Sequence, residues 1–248
     1  MSYNGGKQRS VKHILPFLNH AALDGKEFID AMGGFGNVIS NVVNKRLYIL
    51  TDMNPLLIHL LKAVQSGRLE THKYIRKKMS KAKHKRMLNW KGVNGDKPIN
   101  LKRAIAAYVY SHWNNTTGYL DMYGKFQERD FPRNQIKYLC KTLSSKESFK
   151  QCHLRVCSYE FFLDAEDVVL YFDPPYEGTV GYHVNRHHAF DHVNFWENVR
   201  ALSKKNFVFV SEMKAPADFV AVTSYTKNRR WEHLFVHGGS KAHNMAKL

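Results

Sequence analysis

The strongest constraint on the fold is a recurrence of short, dense apolar runs, each leading into an acid. Glu27-Phe28-Ile29 runs into Asp30, and Leu47-Tyr48-Ile49-Leu50 leads to Asp52. Runs this short lack the 3.6-residue spacing of an amphipathic surface helix. They suit strands buried on both faces, as in a parallel sheet packed between helices. Asn54-Pro55 then opens the stretch Leu56-Leu57-Ile58 through Leu61 as a helix, with proline at its first position. The strand pattern returns late in the chain, in Val168-Val169-Leu170-Tyr171-Phe172, in Asn206-Phe207-Val208-Phe209-Val210 and in a closing Trp231–His237, with a helix expected over Phe195–Leu202. The expected class is therefore α/β, with one sheet assembled from both ends of the chain. Residues 1–61 and 150–248 form a discontinuous main domain, and 62–149 a mostly helical insert.

Charge marks the insert. The 248-residue chain carries a formal charge of +17, and between Lys62 and Arg103 there are 14 Lys or Arg against two acids, Glu70 and Asp96. Arg76, Lys77, Lys78, Lys83, Lys85 and Arg86 lie in this window. A charge run is often no more than a solvated helix face. At this concentration it favours a phosphate-bearing polyanion, because each neutralised phosphate releases counterions. A 44% hydrophobic composition belongs to a globular chain rather than a disordered one.

Four motifs carry chemistry. Asp173-Pro174-Pro175-Tyr176 follows the run Val168–Phe172 directly, at the carboxyl end of a strand, where open parallel sheets bind ligands. Two prolines fix φ and donate no backbone hydrogen bond, so they hold a rigid turn. The Asp173 carboxylate and the Pro174 carbonyl can each accept one N–H of an exocyclic amino group, while the Tyr176 ring stacks on the base. Asp30 is followed by the glycine turn Gly33-Gly34-Phe35-Gly36 before a helix-compatible stretch, the general layout of a nucleoside-cofactor site. Asp52 stands 22 residues after Asp30, close to the roughly 20-residue offset of an acid that grips ribose hydroxyls. Tyr3-Asn4-Gly5-Gly6-Lys7 presents a glycine-flanked lysine suited to a carboxylate.

Together these motifs, in this order, resemble the Dam-like family of DNA adenine-N6 methyltransferases. The matching elements are aromatic-x-Gly-Gly-Lys, acid-x-x-x-Gly-x-Gly, Asp-x-Asn and Asp-Pro-Pro-Tyr. The resemblance implies a Rossmann-like, S-adenosylmethionine-dependent methyltransferase sheet with an inserted target-recognition subdomain. It implies methyl transfer to the amino group of an adenine flipped out of double-stranded DNA. By position, Tyr3, Lys7, Asp30, Gly34, Gly36, Asp52, Glu160 and Asp173 would contact S-adenosylmethionine, with the Asp30–Gly36 loop on the methionine side and Asp52 on the ribose. Asp173, Pro174, Pro175 and Tyr176 would be catalytic. Lys125, Arg129, Arg133 and Asn134 are candidate DNA readers, since Arg and Asn suit bidentate contacts with guanine and adenine edges. The chain departs from the family at Ala31-Met32, where Pro-Phe is usual.

His183, His187, His188 and His192 crowd the stretch after the catalytic motif, and the reading there is a loop closing over substrate. No metal is expected, because the three cysteines, Cys140, Cys152 and Cys157, lack zinc-like spacing. So few cysteines point to a reducing compartment, and no stretch is long and apolar enough for a membrane span. A cytoplasmic monomer or weak dimer, with neither membrane nor stable protein partner, follows as the expectation. Rival readings are an RNA adenine methyltransferase and an inactive DNA-binding relative.

Overall fold

A computed structural model describes residues 7–69, 101, 104, 131–177, 190–227 and 230–248, the side chains of 131–135 and 227 excepted. Seven strands form one sheet: β1 (Glu27–Asp30), β2 (Leu47–Asp52), β3 (His153–Val156), β4 (Val169–Phe172), β5 (Phe207–Glu212), β6 (Phe219–Lys227) and β7 (Arg230–His237). Their spatial order is β3-β2-β1-β4-β5-β7-β6. The first five run parallel, and β7 is antiparallel to both β5 and β6. The described helices are α1 (Val11–Leu18), α2 (Pro55–Gln65), α3 (Phe131–Ser144), α4 (Glu147–Lys150), α5 (His192–Ser203) and α6 (Lys241–Met245). This strand order, with its reversed penultimate position, makes the fold a Rossmann-like α/β sheet.

Period-two alternation divides the core into two layers. Phe28, Tyr48, Leu50, Val169, Tyr171 and Phe209 face one side, where α1, α2, α3 and α6 cover them. Ile29, Ile49, Leu170, Phe172, Val208 and Val210 face the other, against Phe195, Trp196, Val199 and Leu202 of α5. Each central strand is thus apolar on both faces, which is why its sequence reads as an unbroken run. Helix α2 begins at the proline, and Asn54 Oδ1 accepts from Leu56 N at 3.1 Å and Leu57 N at 3.2 Å, satisfying two of the helix's orphan donors.

Two expectations change. The stretch after the glycine turn is not a regular helix, since only Ile39–Asn41 forms one turn of 3-10 helix. Gly34 and Gly36 sit at φ of +51° and +70°, outside helical space, and the chain must enter β2 at Leu47. Strands β3 and β6 were not expected. β3 buries only Leu154 of its four residues, and β6 carries an irregularity between Ala221 and Thr223. Of the segment 62–149, helix α3 packs Ile136, Leu139, Cys140 and Leu143 into the same core layer as α2. Of the basic window, residues 70–100, 102 and 103 lie outside the described residues, as do residues 105–130.

One buried polar side chain ties α5 to the entry of β4. Asn206, fully buried, donates from Nδ2 to Ala165 O at 2.8 Å and Leu202 O at 3.1 Å, and its Oδ1 accepts from Val168 N at 3.1 Å. Replacing it with alanine strands buried backbone groups. Asn206→Ala should cost about 2–4 kcal/mol of stability, read as a lower urea midpoint at unchanged slope. An unaltered midpoint would contradict this account.

Candidate active site

Strand order reverses between β1 and β4. The connections that serve β1–β2 and β2–β3 pack on one face, while α5, joining β4 to β5, packs on the other. The crevice left at the carboxyl ends of β1 and β4 is where open α/β sheets bind ligands. Asp30 ends β1, Asp52 ends β2, Glu212 ends β5, and Asp173 follows β4 by one residue. Ala31 N donates to Tyr171 O at 3.1 Å and Gly33 N to Thr51 O at 2.8 Å, so the glycine loop is pinned to both neighbouring strands.

Asp30 is 1% exposed. Its Oδ2 accepts from Ile39 N at 3.4 Å, while Oδ1 has no hydrogen-bond partner among the described residues. Burial, with the Asp173 charge as second cause, pushes its carboxyl up to about 8. A buried carboxyl with an unmatched oxygen fits a cationic or donor-bearing ligand. Gly33 has no room for a side chain: a Cβ there would lie 2.5 Å from Leu50 Cγ and 3.2 Å from Asp30 Cγ. Asp52 accepts from Gly34 N at 3.2 Å and Asn54 N at 2.8 Å, joining the glycine loop to the β2 end. Burial pushes its carboxyl to about 6, against those two N–H groups. The residues fit an S-adenosylmethionine molecule: an unmatched buried carboxyl for an ammonium, a close backbone loop, and an acid with spare lone pairs for hydroxyls.

Lys7 enters from the N-terminal 3-10 turn Lys7–Arg9 and is 2% exposed. Its ammonium donates to Asp173 Oδ1 at 2.6 Å and to the Tyr176 hydroxyl, and lies 3.6 Å from Glu232 Oε2. The 4.7 Å from Nζ to the Tyr176 ring centre follows from that hydroxyl contact, so the phenol oxygen rather than the ring face holds the cation. Burial, then the Asp173 and Glu232 charges, keeps the Tyr176 phenol protonated, far above its ordinary range. The structure thus joins Lys7, Asp30, Asp52, Asp173, Pro174, Pro175 and Tyr176 around one crevice. Glu160 is exposed on the turn Tyr159–Phe162 that follows β3, where its carboxylate accepts from Ser158 Oγ at 3.1 Å. Arg133 and Asn134 fall in the first turn of α3. His192 opens α5, with its ring edge-on to Phe190 at 4.9 Å. Tyr3, Arg76, Lys77, Lys78, Lys83, Lys85, Arg86, Lys125, Arg129, His183, His187 and His188 lie outside the described residues.

Several site residues had no assigned role from sequence. Glu212, buried at the end of β5, accepts from Glu177 N at 2.8 Å and from Met213 N, bracing the turn that leaves Tyr176. Burial raises its carboxyl to about 7. Tyr171 and Ser211 share a 2.7 Å hydrogen bond beneath Asp173. Tyr225 and Glu232 form a cross-strand pair of the β6–β7 hairpin. An acid alternating with Leu234 and Val236 on the inward face of β7 was the available signal for Glu232.

Asp30, Asp52 and Glu212 hold protons in the folded chain at pH values where unfolded carboxyls, with ordinary values near 4, have lost them. The folded state binds more protons between about pH 4 and 8, so these groups make stability fall as pH rises through that window. Asp218, pulled down to about 2 chiefly by its hydrogen bond to Arg200, is ionised in both states above pH 5 and adds no slope. The decline in urea midpoint from pH 5.5 to 8 should be smaller in Asp30→Asn than in the parent chain. Equal declines would refute a neutral Asp30.

Among solved structures, the chain is similar to the rRNA methyltransferase aviRa from Streptomyces viridochromogenes. The identity is 12%, with 100% of this chain and 88% of that chain covered and a TM-score of 0.43. It is also similar to HI0767 of Haemophilus influenzae, described as a candidate methylase, at 12% identity, 93% and 89% coverage and a TM-score of 0.40. No curated protein in the comparison matches the chain. No described helix is long and apolar enough to cross a membrane. The model of one family, the D12 class N6 adenine-specific DNA methyltransferases, matches residues 3–245. That match runs from ahead of the Lys7 turn to the end of α6, and the chain belongs to this methyltransferase family.

Proposed function

We propose that the chain is a site-specific DNA adenine-N6 methyltransferase. The observation that carries this reading is the Asp173-Pro174-Pro175-Tyr176 turn at the β1–β4 crevice, with its carboxylate anchored by Lys7 and facing the Asp30 loop. An adenine amino group is a poor nucleophile, because its lone pair is delocalised into the ring. Acceptance of its two N–H groups by Asp173 and the Pro174 carbonyl supports a pyramidal nitrogen and stabilises the positive charge that develops on it. Lys7 fixes the plane of the Asp173 carboxylate, and Glu212 fixes the chain beyond Tyr176. Held in advance, these acceptors need no reorganisation during transfer.

The family and the fold imply S-adenosylmethionine, which supplies, when bound, an electrophilic methyl group on a sulfonium. On this reading Asp30 and the loop to Gly36 hold the methionine end, Asp52 the ribose, and Tyr3, Lys7, Glu160 and Asp173 complete the cofactor site. An adenine inside a duplex is out of reach of these groups, so the base leaves the stack and lies against Tyr176. The inserted segment 62–149 binds the duplex. Its window of 14 Lys or Arg, including Arg76, Lys77, Lys78, Lys83, Lys85 and Arg86, supplies affinity through phosphates. Lys125, Arg129, Arg133 and Asn134 supply the choice of sequence.

Radiolabelled S-adenosylmethionine offered with duplex DNA, single-stranded DNA and RNA tests the reading. Label should appear on adenine N6 of the duplex, and Asp173→Ala should cut incorporation by about 10²–10³-fold while duplex affinity holds. Label on RNA alone would favour the RNA reading, and no transfer to any nucleic acid would refute both.

A further inference from the structure

The β6–β7 hairpin overhangs the end of the sheet where the candidate site lies. Phe172, at the end of β4, is level with Val210 of β5, and Val210 with Phe235 of β7. Because β7 runs antiparallel to β5, its earlier residues lie beyond that level. Trp231 comes four residues before Phe235, which carries it about 13 Å past the end of β4 at the rise of an extended strand. β7 is two strands from β4 in the sheet, about 10 Å away. The hairpin is braced close to its tip. Thr226 pairs with Trp231 and Lys227 with Arg230, Ser224 Oγ and His233 Nδ1 share a 2.7 Å hydrogen bond, and the Tyr225 ring stacks on His13 with 5.2 Å between centres.

At that overhang the hairpin presents a ring and positive charge. Trp231 is 60% exposed, and Arg230 beside it is exposed as well. Side chains alternate along β7, so Trp231 lies on the face of Phe235, while the next residue, Glu232, turns the other way and comes within 3.6 Å of the Lys7 ammonium. Trp231 is thus one residue from a side chain that reaches the catalytic crevice. Lys227, Arg229 and Arg230 are cations, and no acid occurs from Phe219 to Trp231. A lone exposed apolar side chain is ordinary on a protein surface. An indole flanked by cations beside a site for a polyanion is a different matter, since it offers charge to phosphates and a stacking platform to bases. An adenine that leaves the duplex uncovers the face of its neighbour in the stack.

We propose that the β6–β7 hairpin is a second DNA-binding element, outside the inserted segment: Arg230 takes a backbone phosphate, and the Trp231 ring stacks on a base uncovered when the target adenine flips out. The hairpin touches neither the reacting nitrogen nor the cofactor, so it adds to duplex affinity rather than to the transfer step. The inference rests on the DNA methyltransferase reading above.

Titration of the full chain with a labelled duplex that it methylates, at several salt concentrations and beside steady-state methylation, tests the assignment. Arg230→Ala should weaken duplex binding and lower the slope of log affinity against log salt by about one. Trp231→Ala should weaken binding about 5- to 100-fold at unchanged slope, raising KM for duplex while kcat and the dissociation constant for S-adenosylmethionine stay within about twofold. Trp231→Phe, which keeps a ring, should retain most of the affinity. Trp231→Leu, which keeps only apolar bulk, should lose it as alanine does and covers the case in which Trp231→Ala unfolds. Lys204→Ala, exposed at the opposite end of the sheet between α5 and β5, should change neither affinity nor slope. Unchanged duplex affinity in Arg230→Ala, or in whichever of Trp231→Ala and Trp231→Leu folds, overturns the proposal. So does a Trp231→Phe as weak as Trp231→Leu, or a Lys204→Ala that loses as much slope as Arg230→Ala. A parent chain that neither binds nor methylates duplex DNA refutes the DNA reading instead, so the two failures are distinguishable.

Discussion

The described connections on either side of the β1–β4 boundary leave toward opposite faces of the sheet, which opens a crevice at the carboxyl ends of those two strands. The arrangement of the candidate site follows from that crevice. It lets the glycine loop after Asp30 lie across the strand ends, bound to Tyr171 O on one side and Thr51 O on the other. It leaves Asp173 one residue beyond β4, in the same opening. The N-terminal turn closes the crevice by inserting Lys7. A buried ammonium is tolerated only where acceptors match its charge and donors, so Lys7 ties that turn to β4 and β7 at once.

The site is unusually rich in acids that burial holds toward their protonated forms. Asp30 at about 8, Glu212 at about 7 and Asp52 at about 6 all stand at strand ends, and each is opposed by backbone N–H groups. Their common cause is the dry interior beneath a parallel sheet, where a carboxylate has lost water and gained only part of its hydrogen bonding. Such a cavity is primed for a ligand that brings positive charge. Glu212 has a second use, since its bonds to Glu177 and Met213 N–H groups fix the chain that follows the Asp-Pro-Pro-Tyr turn. The acids are thus electrostatic and structural at the same time.

Much of this was legible in the sequence, for a specific reason. β1, β2, β4 and β5 are buried on both faces, so their apolar runs are unbroken and their ends are marked by acids or by the Pro-Pro turn. Asn54-Pro55 carried the start of α2 because cap and first-turn chemistry is local. β3 was not legible, because only Leu154 of its residues is buried. β6 was hidden by its irregularity, and of the helix expected after the glycine turn only the single 3-10 turn Ile39–Asn41 forms. Asp173, Pro174, Pro175, Tyr176, Asp30 and Asp52 stood out by their neighbours in the chain. Glu232 and Tyr225 did not, since each meets Lys7 or Asp173 only across more than two hundred or about fifty residues of chain.

The amino-acid sequence by itself determined the sheet class, the strand ends that carry acids, the rigid Asp-Pro-Pro-Tyr turn and the concentration of basic charge between Lys62 and Arg103. Each of these is a matter of local pattern, where propensity, burial and charge act over a few residues. Only the tertiary structure decided the pairing order, the burial of Lys7 between Asp173 and Glu232, and the shift of Asp30 to about 8. These depend on distances of a few ångströms between residues remote in the chain. Charge and desolvation respond to that spacing, and no local pattern encodes it.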